Sequence, residues 1–298
     1  MPHAPCLMPS IHPAHAVSCS DMIVAPLGSG SAGNSYYFES DGTGILLDAG
    51  FGTRETKKRL AIVGREPESI RAIVLTHEHH DHIHGAERIA RKYGIPVYLT
   101  RGTLEASSID AEETKVVVFD NNTTFSIGEL NVHPCSTVHD AADSACFVIE
   151  SGDGTRIGLA SDLGCADEAV IRHLARCDGL FFEANHDLDM LRLGTYPWPL
   201  KRRIMSRYGH LSNDDSVAAL QRLIDAELKT LCLIHLSQKN NHESIVREMA
   251  TALLDRSGAR LDLAIAKQHE PTGVFDIARH SGPLPIERPL HTQMALFQ

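Results

Sequence analysis

Leu75-Thr76-His77-Glu78-His79-His80-Asp81-His82 is the stretch on which the reading of this chain turns. Ahead of it, Ala72-Ile73-Val74-Leu75 is a β-branched, aliphatic run of the length of a buried strand. Behind it, residues 83 to 93 carry apolar side chains at helical spacing and stop at Gly94-Ile95-Pro96. The histidines therefore hang between a strand and a helix, two rigid supports. In an extended segment alternate side chains share a face, so His77 and His79 can grip one cation together. Asp81 and His82 fall where the chain turns into the helix and can aim at a second. Three imidazoles and a carboxylate suit Zn, Mn or Fe better than Ca or Mg. A tag-like tract would not sit between a buried strand and an amphipathic helix. His80, out of step with the pattern, is expected on the surface.

The rest of the composition narrows the class. With 298 residues and 43% hydrophobic content, the chain is a soluble globular protein of one large or two small domains. Its apolar runs are too short to span a membrane. A formal charge of −10 speaks against bulk attraction to nucleic acid, so any such contact needs a local basic patch. The seven cysteines form no CxxC pair and are odd in number, as reduced core thiols in a cytoplasmic protein would be. Residues 1–21, rich in Pro, His, Ser and Ala, lack the basic and apolar regions of a signal peptide. They read as a disordered tail, or as sequence upstream of a start at Met22, and His3, His12 and His15 are set aside from the site. The folded body is expected over residues 22–278, with a flexible tail over 279–298.

From Met22 the pattern gives a strand over 22–27, the loop Gly28-Ser29-Gly30-Ser31-Ala32-Gly33-Asn34-Ser35, then strands over 36–40 and 44–48. The loop lacks the lysine and the following helix of a phosphate-binding P-loop, so it reads as a tight turn beside the site. Asp48 ends a buried strand, where a carboxylate is costly unless it orients a neighbouring ligand; it is expected to shape the site from behind. Strands dominate from 96 to 160. Helices and strands then alternate to residue 266, which implies sheets covered on their outer faces. His139, Asp162 and His235 each follow one of these strands.

The order Asp48, His77-x-His79-x-Asp81-His82, His139, Asp162 and His235 resembles the five-motif signature of the metallo-β-lactamase fold over residues 22–278. That resemblance implies an α/β protein, a four-layer αββα sandwich. It assigns His77, His79 and His139 to one metal, Asp81, His82 and His235 to the other, and Asp162 to a bridge between them. Gly28 to Ser35, Glu183-Ala184-Asn185-His186-Asp187, Gly209-His210-Leu211-Ser212-Asn213 and His235-Leu236-Ser237-Gln238-Lys239-Asn240-Asn241 are similar to the YycJ (WalJ) group, 5′-to-3′ DNA exonucleases. Glu183-Ala184 and His210-Leu211-Ser212 also resemble motifs of RNase Z. Phe182 stands where that family has a histidine, so the proton donor passes to His210, helped by Glu183, with His186 as a competitor.

The chemistry follows from the ligands. Two cations, Zn or Mn with Fe possible, bind a bridging hydroxide at neutral pH and offset the charge that builds on a phosphodiester. Asp81 thereby counts among the catalytic groups, and a departing sugar oxygen takes its proton from a histidine. Lys201, Arg202, Arg203 and Arg207 form a cationic strip just before His210, suited to phosphate contact, although one solvated helix face would look the same. Ser237 and Asn240, in the motif shared with the exonuclease group, are expected to bind substrate as well. Lys57-Lys58-Arg59 reads as ordinary helix surface. Gln293-Met294-Ala295-Leu296-Phe297 resembles the QxxLF peptide by which bacterial replication and repair proteins dock on the sliding clamp. The expected function is a dinuclear-metal phosphodiesterase trimming DNA from the 5′ end. Its rivals are a phosphoribosyl-type cyclic phosphodiesterase or an RNA phosphodiesterase, and a thioester or lactone hydrolase with no use for the strip or for His210.

Overall fold

A computed structural model of the chain describes residues 22–277 and 281–284. The first half runs β1 (Ile23–Gly28), β2 (Ser35–Ser40), β3 (Thr43–Leu47), α1 (Thr53–Ile62), β4 (Ile70–Val74), α2 (His80–Ile83), α3 (Ala86–Tyr93), β5 (Val97–Thr100), α4 (Arg101–Ala106) and β6 (Val116–Phe119). The second runs β7 (Phe125–Ile127), β8 (Leu130–Ser136), β9 (Ala145–Glu150), β10 (Arg156–Ala160), α5 (Glu168–Leu174), β11 (Gly179–Glu183), α6 (Leu188–Leu193), α7 (Trp198–Ile204), α8 (Asn213–Leu223), β12 (Thr230–Ile234), α9 (Glu243–Ser257) and β13 (Asp262–Ile265). The chain then returns to the first sheet through β14 (Val274–Asp276) and β15 (Ser281–Leu284). The strand orders are β15-β14-β1-β2-β3-β4-β5-β6 and β13-β12-β11-β10-β9-β8-β7.

Alternation along the strands sorts the apolar side chains into three cores. Val24, Phe38, Val74, Phe147, Phe181 and Ile234 fill the space between the two sheets. Their neighbours Ala25, Tyr37 and Ile73 face α1 and α3, while Leu180, Phe182 and Leu233 face α5, α8 and α9. The layers are helices, sheet, sheet, helices, the expected αββα sandwich. Strands β3 to β6 are parallel, as are β10 to β13. Their C-terminal ends therefore line one edge of the sandwich, where a parallel sheet presents its binding residues.

Several expectations are corrected here. The helix expected over 83–93 begins only at Ala86, as α3, because the Gly85 N–H is taken by the Ala49 carbonyl at 2.7 Å and the chain there packs against Phe51, where a Cβ would stand 1.9 Å from its carbonyl oxygen. Arg59, expected at the surface, is buried: its guanidinium donates to the carbonyls of Leu27, Gln268 and His269. Residues 281–284, expected within a flexible tail, form β15 at the edge of the first sheet, where the missing N–H of Pro283 is tolerated. Residues 1–21 and the clamp-like peptide at Gln293–Phe297 lie outside the described residues. No helix among the described residues is long and apolar enough to cross a membrane, and the five cysteines there are all free.

Candidate metal centre

The residues of the cluster come from loops that follow strands and from the short helix α2. Asp48 follows β3 and His235 follows β12 directly, and Asp162 comes two residues after β10. All three have left-handed backbones, with φ of 59°, 57° and 56°. That conformation is uncommon for non-glycine residues and is held only where the surroundings insist on it, typically at functional sites. His77 leaves β4 in an extended segment. His79 caps α2, so Asp81 and His82 stand on the first turn of a helix, and His80 is exposed as expected. Gly50 lets these loops interlock, since a Cβ there would lie 1.8 Å from the carbonyl oxygen of Asp81.

The histidines are each held by one ring nitrogen, which frees the other. Nδ1 of His77 meets Thr76 Oγ1 at 2.9 Å, and Nδ1 of His82 donates to Asp48 Oδ2 at 2.7 Å. Nδ1 of His139 donates to the Gly209 carbonyl at 3.0 Å, and Nδ1 of His235 to Glu183 Oε1 at 2.9 Å. For His79 it is Nε2 that reaches a backbone carbonyl, that of Asp140 at 3.2 Å. Such outer partners fix tautomer and orientation in metal sites. The remaining atoms converge: those of His77, His79 and His139 lie within 4.8 Å of one another, and so do those of Asp81, His82 and His235. Asp162 approaches both groups, with Oδ2 3.2 Å from His82 Nε2 and Oδ1 3.8 Å from His139 Nε2.

These residues fit a divalent cation. Nε2 of His77, Nε2 of His235 and Oδ2 of Asp162 are buried without a hydrogen-bond partner, a condition that costs free energy unless something else satisfies them. Burial opposes protonation of His235, yet Asp162, Asp81 and Glu183 outweigh it and push its pKa up to about 10. Burial likewise opposes ionisation of Asp162, and the imidazoles of His235 and His82 overcome it to hold that carboxyl well below its ordinary range. His77, by contrast, is kept neutral mainly by burial. A bound cation would replace the protons on His82 and His235 and take the same place in the charge balance.

Asp48 lies behind the cluster, fully buried. Its Oδ1 accepts the Thr76 N–H at 2.8 Å while Oδ2 holds His82. Asp48→Asn puts an amide where both oxygens accept, so metal affinity is expected to fall about 10- to 100-fold. Competition against a chromophoric chelator measures it.

Glu183, at the end of β11, accepts from the Nδ1 atoms of His210 and His235, both at 2.9 Å, and from the Leu163 N–H at 2.7 Å. Burial would raise its pKa, but His210 and His235 hold it at about 2. His210 thus stands at the rim, one-fifth exposed, with its Nδ1 also 3.7 Å from Asp162. Phe182, the departure from the RNase Z pattern, points away into the helix-side core. His186 is not in the cluster. It is buried, both its ring nitrogens lack partners, and it lines a cavity of about 480 Å³ together with His210, Leu188, Met205 and Leu211.

Three substrate-binding expectations are corrected. Lys201 turns inward, and its ammonium donates at 2.7 Å to the carbonyls of Arg192 and Gly194 at the end of α6. Losing those bonds in Lys201→Met is expected to cost about 1.5–3 kcal/mol of stability, read from chemical denaturation. Ser237 and Asn240 are buried and serve their own turn: Ser237 Oγ accepts the Asn240 N–H at 3.2 Å, and the Asn240 carbonyl accepts the Asp187 N–H at 2.8 Å. Arg202 and Arg203 remain exposed, Arg203 paired with Asp140 beside His139. Asn34, not singled out from the sequence, touches the cluster, with Nδ2 3.0 Å from His82 Nε2 and 3.2 Å from Asp81 Oδ2. Its signal was the Gly-Ser loop itself, whose last turn places it there.

The beta-lactamase superfamily domain matches residues 43–236. The chain belongs to that superfamily. It is 35% identical over 246 residues to exodeoxyribonuclease WalJ of Streptococcus pneumoniae, covering 80% of this chain and 89% of that protein. It is 32% identical over 237 residues to exodeoxyribonuclease YycJ of Bacillus anthracis, covering 78% and 89%. Among solved structures, the metallo-beta-lactamase fold protein YhfI from Bacillus subtilis superposes with a TM-score of 0.66 over 86% of this chain and 99% of that one, at 19% identity, a likeness of fold alone. This member of the superfamily is a metal-dependent hydrolase.

Proposed function

We propose that the chain is a 5′-to-3′ DNA exonuclease working with two divalent cations, Zn or Mn, with Fe as the third candidate. One observation carries the reading. Three buried atoms without hydrogen-bond partners, Nε2 of His77, Nε2 of His235 and Oδ2 of Asp162, converge with the ligand atoms of His79, Asp81, His82 and His139 at the C-terminal edge of the sheets, with His210 and its buried partner Glu183 at the rim. The one-third identity to two exodeoxyribonucleases over most of the chain supports DNA as the substrate.

His77, His79 and His139 would hold one cation and Asp81, His82 and His235 the other, with Asp162 common to both. Cations there supply a water activated at neutral pH and offset the charge that accumulates on a phosphodiester. Glu183 fixes His210 through Nδ1, which leaves Nε2 to deliver the proton taken up by a leaving sugar oxygen. Arg202 and Arg203 supply positive charge to the DNA backbone on an otherwise acidic protein.

Duplex DNA labelled at either end tests this. With Mn or Zn added, label is expected to leave the 5′ end first, and an Asp81→Ala, His82→Ala protein is expected to leave both ends intact. Loss of the 3′ label first contradicts the polarity, and intact DNA beside brisk turnover of bis(p-nitrophenyl) phosphate contradicts DNA as the substrate. Gln293 to Phe297 keep their proposed role as a peptide for the sliding clamp. Removing residues 293–298 is expected to abolish retention on immobilised clamp, and unchanged retention contradicts that role.

A further inference from the structure

The cavity of about 480 Å³ that His186 and His210 share is left unused by the chemistry at the cations. Its size falls at the lower end of the range, about 300–1,000 Å³, in which single small ligands are bound. Leu188, Met205, Leu211 and Ala219 give it apolar walls. Two charged side chains on the wall are already engaged: Arg222 pairs with Glu168 at 2.5 Å, and Asp215 accepts from the Ser212 hydroxyl at 2.6 Å in the cap of α8. His186, by contrast, is 1% exposed and neither of its ring nitrogens has a partner. Its backbone is fixed, the carbonyl accepting the Asn213 N–H at 2.8 Å. Burial holds its pKa below the ordinary value, so the ring is neutral and offers one donor and one acceptor. Such a pair, buried and unused, costs free energy until a ligand meets it.

The cavity adjoins the metal cluster on the side of His210. That ring turns Nδ1 to Glu183 at 2.9 Å and stands 3.7 Å from Asp162, and it also lines the cavity. Gly164, two residues past Asp162, lines it too, packed on the backbone of Arg207 so closely that a Cβ would stand 2.0 Å from its oxygen. In the proposed reaction the water oxygen bonds to phosphorus, the bond from phosphorus to O3′ breaks, and O3′ takes its proton from His210. The piece that carries the departing O3′ therefore lies on the His210 side, beside the cavity. For a cut at the 5′ end that piece is one nucleotide. For a cut at the 3′ end it would be the whole remaining strand, which a closed cavity of this size does not hold.

We propose that the cavity receives the base of the 5′-terminal nucleotide, taken out of the end of the duplex, with His186 hydrogen-bonding its edge. A nucleobase has the required chemistry: apolar faces for the walls, and donors and acceptors along the edge for a neutral imidazole. Taking a base out of the stack is how enzymes that act on DNA reach a buried target. Here only the last pair has to open, and the rest of the duplex stays outside the cavity. A base within the duplex is stacked on both sides and a terminal one on a single side, so an end is admitted in preference to an internal phosphodiester. Such a pocket rests on the exonuclease reading of the site and adds to it what selects the end.

Two duplexes of one sequence, each ending in a single unpaired 5′ nucleotide, test this on the full chain with Mn. One carries a normal terminal base and the other an abasic terminal nucleotide, so neither has a pair to open. The unmodified chain is expected to release the base-bearing nucleotide with kcat/KM about tenfold higher. His186→Phe is expected to remove that advantage by lowering the base-bearing rate alone, about tenfold, and His186→Asn, which restores a donor and an acceptor, to recover most of it. Ala218→Trp, at an exposed position of α8 on the cavity wall, is expected to narrow the entrance and cause the same selective loss. A structural role for His186 would lower both rates together. Equal rates on the two ends, or equal losses in His186→Phe, overturn the pocket and leave the 5′-to-3′ reading standing. DNA left intact in every form, or trimmed from the 3′ end, removes that reading and the pocket with it.

Discussion

Asp162→Ala is expected to abolish hydrolysis of every phosphodiester offered, DNA and bis(p-nitrophenyl) phosphate alike, by about 10³-fold or more, the scale of several kcal/mol of lost charge stabilisation. No other carboxylate in the cluster lies close to both ligand groups. Its oxygens stand 3.2 Å from His82, 3.7 Å from His235 and 3.8 Å from His139. Its left-handed backbone, φ 56°, is what turns the side chain from the end of β10 into that position. Removing it also takes away one of the carboxylates that face the imidazoles of His82 and His235. The variant should therefore bind cations poorly as well as turn over slowly. Steady-state rates with excess Mn or Zn, on protein shown by circular dichroism to be folded, measure the effect. Activity within tenfold of the unmodified chain contradicts a bridging role.

His210→Ala should separate two substrates that Asp162→Ala does not. Loss of a positioned proton donor costs about 10²- to 10⁴-fold where the leaving group is a sugar alkoxide. A p-nitrophenolate leaves without a proton, so turnover of bis(p-nitrophenyl) phosphate should fall far less. The prediction rests on the 2.9 Å bond from His210 Nδ1 to buried Glu183, which orients the ring, and on the partial exposure that leaves Nε2 open to substrate. Equal losses on both substrates would place His210 in binding the cations rather than in proton delivery.

The metal cluster is legible in the sequence because its residues sit where patterns change. His77 to His82 lie between a β-branched run and a helical period, and Asp48, Asp162 and His235 each close an apolar run that can only be a buried strand. A strand-end residue in a parallel sheet has one place to go, the C-terminal edge. The direction of long side chains is not legible in the same way. Lys201, Arg202 and Arg203 read as one cationic strip, yet on a helix the three residues face different sides, and only Lys201 meets the carbonyls that end α6. Arg59 is hidden for the same reason, two of its three carbonyl partners, Gln268 and His269, being more than two hundred residues away. Ser237 and Asn240 share a motif with the ligand His235, but the polar side chains are spent on the sharp turn that follows it. Asn34 is the reverse case, a residue of a glycine-rich loop whose contact with Asp81 and His82 spans 47 positions of sequence at the shorter count and depends on how two loops interlock.

The count of cations bound per chain tests the central claim most directly. Metal-free protein would be titrated with Mn or Zn while bound metal and phosphodiester hydrolysis are followed together. Two equivalents are expected, with hydrolysis rising as the second binds, and Asp162→Ala is expected to reduce both the count and the rate. Saturation at one equivalent with full activity would contradict the two-cation centre.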